Sequence, residues 1–318
     1  MRDKLKIVFF GTPEFATHIL DGIVQSHHQV VGVVTVADKP AGRGRKLQES
    51  HVKQYAVGTG LRVLQPTNLK DENFIKELSG LEADLFVIVA FRMLPRVVWD
   101  MPEMGTFNLH ASLLPQYRGA APINWAVINQ EKKSGVTTFF IDEKIDTGAM
   151  ILQAECALEP METAGSLYTK LMHLGRTLTL ETIDLIAEGE ASLTKQTNYD
   201  ELKDAPKLTT ENTKIDFSKP AQQVDAVVRG LNPFPIAKAT LLDKNNILQV
   251  KIFETSIVNK PHNMIPGSIV VKNNEIMIAC SDSFVLLEKL QLPNKKAMDA
   301  KSLLNGYSFS SDARFDLG

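Results

Sequence analysis

The chain has 318 residues, a formal net charge of −2, 44% hydrophobic and 23% charged residues, and two cysteines. That length exceeds the usual single domain and predicts two, and the near-neutral charge excludes binding of polyanions by bulk basicity. Cys156 and Cys280 stand far apart without CxxC or Cys/His spacing, which argues against a disulfide framework or a zinc site and points to a reducing, cytoplasmic setting.

The apolar run Lys6–Phe10 is too short for a signal segment and reads as a strand entering a turn. No stretch approaches the roughly 20 apolar residues that a membrane helix needs. Further β-branched or apolar runs follow at Val30–Val36, Leu85–Ala90, Thr106–Leu109 and Val136–Ile141. Between and after them, Pro13–Gln25, Asp71–Leu78 and Thr163–Glu188 read as helices, the last with Leu167, Leu171, Leu174, Leu178 and Ile186 at near-helical spacing. Alternation of this kind predicts an α/β domain over residues 1–189, a Rossmann-like layered fold on a mainly parallel sheet.

The texture changes at Gly189. Residues 190–207 are polar and read as a linker, followed by a domain over 208–318. That domain opens with a helix at Ala221–Gly230 and continues as short strands at Ala237–Leu242, Leu248–Ile257, Gly267–Val271, Glu275–Ala279 and Phe284–Leu290. Their Asn-rich turns predict a small β-barrel. Charge is uneven: residues 208–318 hold 13 Lys/Arg against 11 Asp/Glu, leaving 22 against 26 in the front, so the tail is +2 and the front −4.

Gly11-Thr12-Pro13 closes the first strand and starts a helix, with proline where its missing N–H costs nothing. The turn lacks GxGxxG, and Asp38 lies in a basic loop rather than at a strand end, so a tight strand-to-helix turn is favoured over a dinucleotide site. Asn108 and His110 stand two apart at the end of an apolar strand, hence on one face at the carboxyl edge, where open α/β sheets place their crevices. Asp146 follows in a polar loop before Thr147-Gly148. Singly, each has an ordinary structural reading: a histidine satisfied locally, an aspartate forming a turn. Together they supply what acyl transfer to an amine requires, a donor for the developing oxyanion, a proton-exchanging group and a carboxylate to orient it.

Asn108-Leu109-His110, Ser112-Leu113-Leu114-Pro115, Tyr117-Arg118-Gly119-Ala120-Ala121-Pro122 and Asp146-Thr147-Gly148 together resemble the signature of the folate-dependent formyltransferases, in the branch that acts on methionyl-tRNA. The similarity extends through Phe10-Gly11-Thr12-Pro13-Glu14-Phe15, Asp38-Lys39-Pro40-Ala41-Gly42-Arg43-Gly44-Arg45, Ala205-Pro206-Lys207-Leu208, Ile215-Asp216-Phe217-Ser218-Lys219-Pro220 and Arg229-Gly230-Leu231-Asn232-Pro233-Phe234-Pro235.

The resemblance implies transfer of the formyl group of 10-formyltetrahydrofolate to the amino group of methionyl-initiator tRNA. It makes Asn108, His110 and Asp146 the catalytic trio and Ser112, Leu113, Leu114 and Pro115 part of the folate pocket, with Leu114–Pro115 cis. Folate enters as a cosubstrate, and no metal is implied. The loop Asp38–Lys46 carries four cations and in the family enters the acceptor end of the tRNA, which marks Arg43 and then Lys207 for RNA contact. The tail resembles the family's oligonucleotide-binding-type domain, and a cytoplasmic monomer is expected. The sequence departs from the family pattern at Lys144, at Phe91-Arg92-Met93-Leu94-Pro95 and at His51, positions that bear on pocket shape more than on chemistry.

Overall fold

The computed structural model describes residues 3–41, 46–197 and 201–317. In chain order, β1 (Lys6–Gly11), α1 (Glu14–Gln25) and β2 (Gln29–Val34) form the first βαβ unit. The short strands β3 (Lys39–Ala41) and β4 (Lys46–Gln48) pair antiparallel, and α2 (His51–Gly58), β5 (Val63–Leu64), α3 (Glu72–Ser79) and β6 (Leu85–Val89) follow. Next come α4 (Arg96–Trp99), β7 (Thr106–His110), β8 (Arg118–Gly119), α5 (Pro122–Ile128), β9 (Lys133–Phe140), β10 (Met150–Ala157), α6 (Ala164–Glu188) and β11 (Asp204–Ala205). Helix starts follow local chemistry: the Asp71 carboxylate accepts from the Phe74 N–H and caps α3, and Ser50 caps α2 through the Lys53 N–H.

The chain divides into two units. One comprises Met1–Gly119, Ser134–Cys156 and Tyr168–Asp204; the other comprises Ala120–Lys133, Ala157–Leu167 and Ala205–Gly318. Sequence texture suggested one break within 190–207, whereas two earlier segments cluster with the tail. The reason lies in short-range fit. Gly230 lets α5 pack tightly on α7 (Ala221–Gly230), since a Cβ there would lie 2.4 Å from Ile128 Cγ1, and Asn124 Nδ2 donates to the Gly230 carbonyl at 2.8 Å. The Gly165 N–H likewise donates to Asn232 O at 3.0 Å.

The first unit is built on a seven-stranded sheet in the order β10-β9-β7-β6-β1-β2-β5. β1 pairs parallel with β2 and β6, β2 with β5, and β6 with β7, while β9 pairs antiparallel with β7. The sheet is therefore mainly parallel and Rossmann-like. β6 is buried at all five positions and shares a core with Val8, Phe10, Val34, Phe74, Leu78 and Val98. Each such side chain contributes about 1.5–3 kcal/mol on burial. On α6, Thr182 Oγ1 meets Thr138 Oγ1 of β9 at 2.8 Å, a buried polar contact that fixes the helix along the sheet.

The second unit contains α7, β12 (Ala237–Asp243), β13 (Asn246–Val258), β14 (Ile269–Lys272), β15 (Glu275–Ala279), β16 (Phe284–Gln291), β17 (Met298–Asp299), α8 (Ala300–Leu304) and β18 (Arg314–Phe315). Its strands run antiparallel in the order β14-β15-β16-β13-β12-β18, and a bridge from Ser268 to Arg314 brings the two edges nearly together. The barrel encloses Phe217, Leu241, Val250, Ile252, Ile278, Leu287 and Phe315. Strand β12 alternates buried and half-buried residues, as one inward face requires. Beneath it the buried Asp225 accepts from Arg229 Nε at 2.7 Å and from Thr255 Oγ1 at 2.8 Å, so its charge is paired and bonded.

Candidate active site

β7 delivers Asn108 and His110 to the carboxyl edge of the sheet. Asn108 sits in register between Ile88 of β6 and Phe139 of β9, and His110 opposite Thr137, so the pleat turns both side chains to the same face. His110 is 7% exposed, and its Nε2 lies 2.8 Å from the Tyr117 carbonyl oxygen. A carbonyl only accepts, so Nε2 carries the hydrogen and the neutral ring keeps its lone pair on Nδ1. That atom faces Asp146 Oδ2 at 3.8 Å. The half-buried Asn108 amide makes no hydrogen bond to a described residue, which leaves its two donors available.

Asp146 is held in an unusual conformation. Its φ is +54°, a left-handed geometry that costs a non-glycine residue free energy and persists only where the surroundings impose it. Three contacts do so. The Gly119 N–H donates to Asp146 Oδ2 at 3.0 Å, Gln196 Nε2 donates to the Asp146 carbonyl at 2.9 Å, and Gly148 stands against Phe140, whose oxygen would be 1.7 Å from an added Cβ. Upstream, Asp142 accepts from the Lys144 N–H and from Thr147 Oγ1, at 2.9 and 2.8 Å, which closes the loop on itself. Lys144, where the family pattern has glycine, is exposed at the outer side of that turn.

The segment 112–115 is fixed by its backbone. Thr137 Oγ1 donates to Ser112 O at 2.7 Å and accepts from the Leu114 N–H at 3.1 Å, Gln153 Nε2 donates to Leu114 O at 2.8 Å, and Ser112 Oγ donates to Gln116 O at 2.6 Å. Leu114–Pro115 is cis, as the resemblance implies. The side chains divide: Ser112 and Leu114 point inward, 1% and 3% exposed, while Leu113 and Pro115 are partly open. Across the same edge, Arg92 of the loop after β6 donates to the carbonyls of Pro66 and Thr67, an anchor that the family pattern does not predict.

Other sequence candidates lie outside this cluster. Arg43 is beyond the described residues, and Lys207 is exposed in the second unit. At the turn after β1, one donor of the α1 N-terminus is already used, because the Phe15 N–H donates to the Tyr168 hydroxyl at 2.7 Å, which supports the tight-turn reading of Gly11-Thr12-Pro13. Among the described residues one group brings three metal-type donors within 4.8 Å of each other: His27, His28 and Asp184. His28 Nδ1 accepts from the Leu5 N–H at 3.2 Å, so Nε2 carries the hydrogen that it donates to Asp184 at 2.9 Å. No lone pair of that ring is left for a cation, and the group is a structural bridge.

Sequence reading passed over Gln196, Thr137 and Gln153, and it gave Arg118 and Tyr117 no role beyond their place in a motif. Gln196 lies in a stretch whose polarity reads as linker, and nothing in its neighbours announces that it is buried.

The profile of the formyl transferase family matches residues 5–183, and that of the formyl transferase C-terminal domain matches residues 207–308. The chain belongs to this family and is a formyltransferase. Its relatives include the methionyl-tRNA formyltransferase of Flavobacterium johnsoniae, 54% identical over 98% of this chain and 99% of that protein. Those of Bacteroides fragilis and Porphyromonas gingivalis are 48% and 41% identical, covering 96% and 98% of both chains. Among solved structures, the N-formyltransferase of Helicobacter canadensis, described with folinic acid and dTDP-3-aminofucose, superposes with a TM-score of 0.66 at 21% identity, over 89% of this chain and 98% of its own. The fold is thus shared well beyond the sequence likeness.

Proposed function

We propose that this chain transfers the formyl group of 10-formyltetrahydrofolate to the α-amino group of methionyl-initiator tRNA, with Asn108, His110 and Asp146 as the catalytic residues. The observation that carries the reaction type is the facing of His110 Nδ1 and Asp146 at the sheet edge beside an Asn108 amide that has no hydrogen-bond partner among the described residues. The substrate follows from the near full-length relatives named methionyl-tRNA formyltransferase.

In this reading the methionine amine attacks the formyl carbon, and an N–H of Asn108 donates to the oxyanion of the tetrahedral intermediate. The attacking nitrogen becomes an ammonium and passes a proton to His110 Nδ1, while Nε2–H stays on the Tyr117 carbonyl. The imidazolium so formed faces the Asp146 carboxylate. The intermediate collapses by breaking its bond to N10 of the folate, which takes the proton from His110 and leaves as tetrahydrofolate. His110 returns to its starting tautomer, and no metal takes part. Leu113 and Pro115 are the open members of 112–115 and are assigned to the folate; Ser112 and Leu114 shape the loop beneath them.

Arg43 and Lys207 are assigned to tRNA contact, and the barrel-bearing part of the chain to a contributory RNA surface. The protein is assigned to the cytoplasm as a monomer; neither Cys156 nor Cys280 forms a disulfide, and among the described residues no helix is long and apolar enough to cross a membrane.

The test is transfer of labelled formyl from 10-formyltetrahydrofolate to methionyl-initiator tRNA, beside free methionine, glycinamide ribonucleotide and a dTDP-linked aminosugar. Transfer to charged tRNA, with a raised KM for tRNA in Arg43→Ala, is expected. Transfer only to a small amine would keep the chemistry and discard the tRNA assignment.

A further inference from the structure

We infer that Gln196 is a positioning residue, whose side chain holds Asp146 and the 117–119 strap in the geometry the transfer needs. The inference rests on the reading of Asp146 and His110 given above.

Gln196 is 8% exposed, although it lies in a polar stretch without regular structure. All of its hydrogen-bonding capacity towards the site is used. Nε2 donates to the carbonyls of Asp146 and Gly148, both at 2.9 Å. Oε1 accepts from Arg118 Nε at 3.2 Å and Nη2 at 2.6 Å. One amide thus spans the two segments that bound the site. The residues on either side of Arg118 make the remaining contacts: Tyr117 O accepts from His110 Nε2 at 2.8 Å, and the Gly119 N–H donates to Asp146 Oδ2 at 3.0 Å. The bonds close a ring through Gln196, Arg118, the 117–119 backbone and Asp146, with His110 attached to it.

The chemistry demands glutamine. Two carbonyls need two N–H donors, and a guanidinium needs an acceptor, at one side-chain reach. Glutamate keeps the acceptor and loses both donors, so it would strengthen the grip on Arg118 while turning a carboxylate towards two carbonyl oxygens. Asparagine is one methylene short. The object held is Asp146 in its left-handed conformation, φ +54°, which relaxes unless it is over-determined. Gln196 touches neither reacting atom, and its effect passes through Asp146.

The experiment is steady-state kinetics of formyl transfer to methionyl-tRNA by Gln196→Glu, alone and combined with Asp146→Asn. A misplacement of about 1 Å at a site costs up to roughly a hundredfold in rate, so Gln196→Glu is expected to lower kcat by about ten- to a hundredfold. KM for both substrates should hold. In the Asp146→Asn background the same change should cost almost nothing, because the group it positions is gone; a residue that only stabilises the fold gives additive losses. Arg118→Lys, which removes the fork on Oε1 but keeps the charge, should follow the same non-additive pattern and serves if Gln196→Glu fails to fold. Full activity in Gln196→Glu, or additive losses in the double variants, would overturn the proposal. Full activity in Asp146→Asn would instead overturn the reading of the site on which it rests.

Discussion

His110 and Asp146 come from separate elements, yet the imidazole Nδ1 stands 3.8 Å from the carboxylate Oδ2, and the two residues share one support. The Tyr117–Gly119 strap takes the hydrogen of His110 on one carbonyl and gives an N–H to Asp146. The distance is too long for a hydrogen bond and short enough for a charge pair, the geometry that the proposed proton transfer through His110 calls for.

Substitution at these positions should separate chemistry from binding. His110→Ala should reduce kcat by about 10²–10⁴, and Asn108→Ala by about 10²–10³. Affinity for charged tRNA, measured by filter binding, should stay within a few-fold of the parent protein. A His110→Ala protein that turns over normally at saturating RNA would remove His110 from the reaction.

Gly148→Ala should destabilise the first unit rather than merely perturb the loop. An added Cβ would sit 1.7 Å from the Phe140 carbonyl oxygen, which belongs to β9 and cannot yield as a side chain does. Overpacking of this kind costs about 3 kcal/mol, read as a lowered midpoint in thermal or urea unfolding. An unchanged midpoint would mean that the loop reorganises freely, and the support described for Asp146 would then be illusory.

Acid sensitivity should trace in part to His28, distant from the chemistry. Burial holds its imidazole below the ordinary value of 6.5, outweighing the lift from the Asp184 hydrogen bond. A cationic group with a depressed native pKa contributes stability that is complete above about 6.5 and is lost as pH falls through the lower native value. Protonation also turns Nδ1 from an acceptor into a donor facing the Leu5 N–H. Urea midpoints should therefore fall between pH 7 and mildly acidic pH, and His28→Gln should flatten that slope. Parallel curves for the two proteins would assign the titration to another group.

Much of the framework was legible in advance because its causes are local. The helix expected at Ala221–Gly230 has those bounds, and the one expected at Thr163–Glu188 begins one residue later. Apolar runs in the first half became the central strands, since a strand buried on both faces reads as a continuous apolar stretch. α2, α5 and β10 were not read. α5 is a seven-residue helix opened by Pro122, too short for periodicity to register, and β10 alternates half-buried and exposed residues at a sheet edge. Strand alternation alone put Asn108 and His110 on one face of β7, whereas Asp146 was joined to them only through the motif, because its approach to His110 is a contact between separate elements.

The sequence by itself determined the central strands, the helices α1, α3, α6 and α7 to within a residue or so, and the family, because periodicity, turn chemistry and motif spacing all act over a few residues. Tertiary structure alone decided that Ser112 and Leu114 face inward while Leu113 and Pro115 stay open, which tautomer His110 adopts, and that a glutamine from a polar stretch grips the Asp146 loop. These depend on which carbonyls and amides lie across the fold from one another, between residues such as Gln196 and Asp146. A buried polar group must find partners wherever the packing leaves them, and no local pattern in the chain encodes that address.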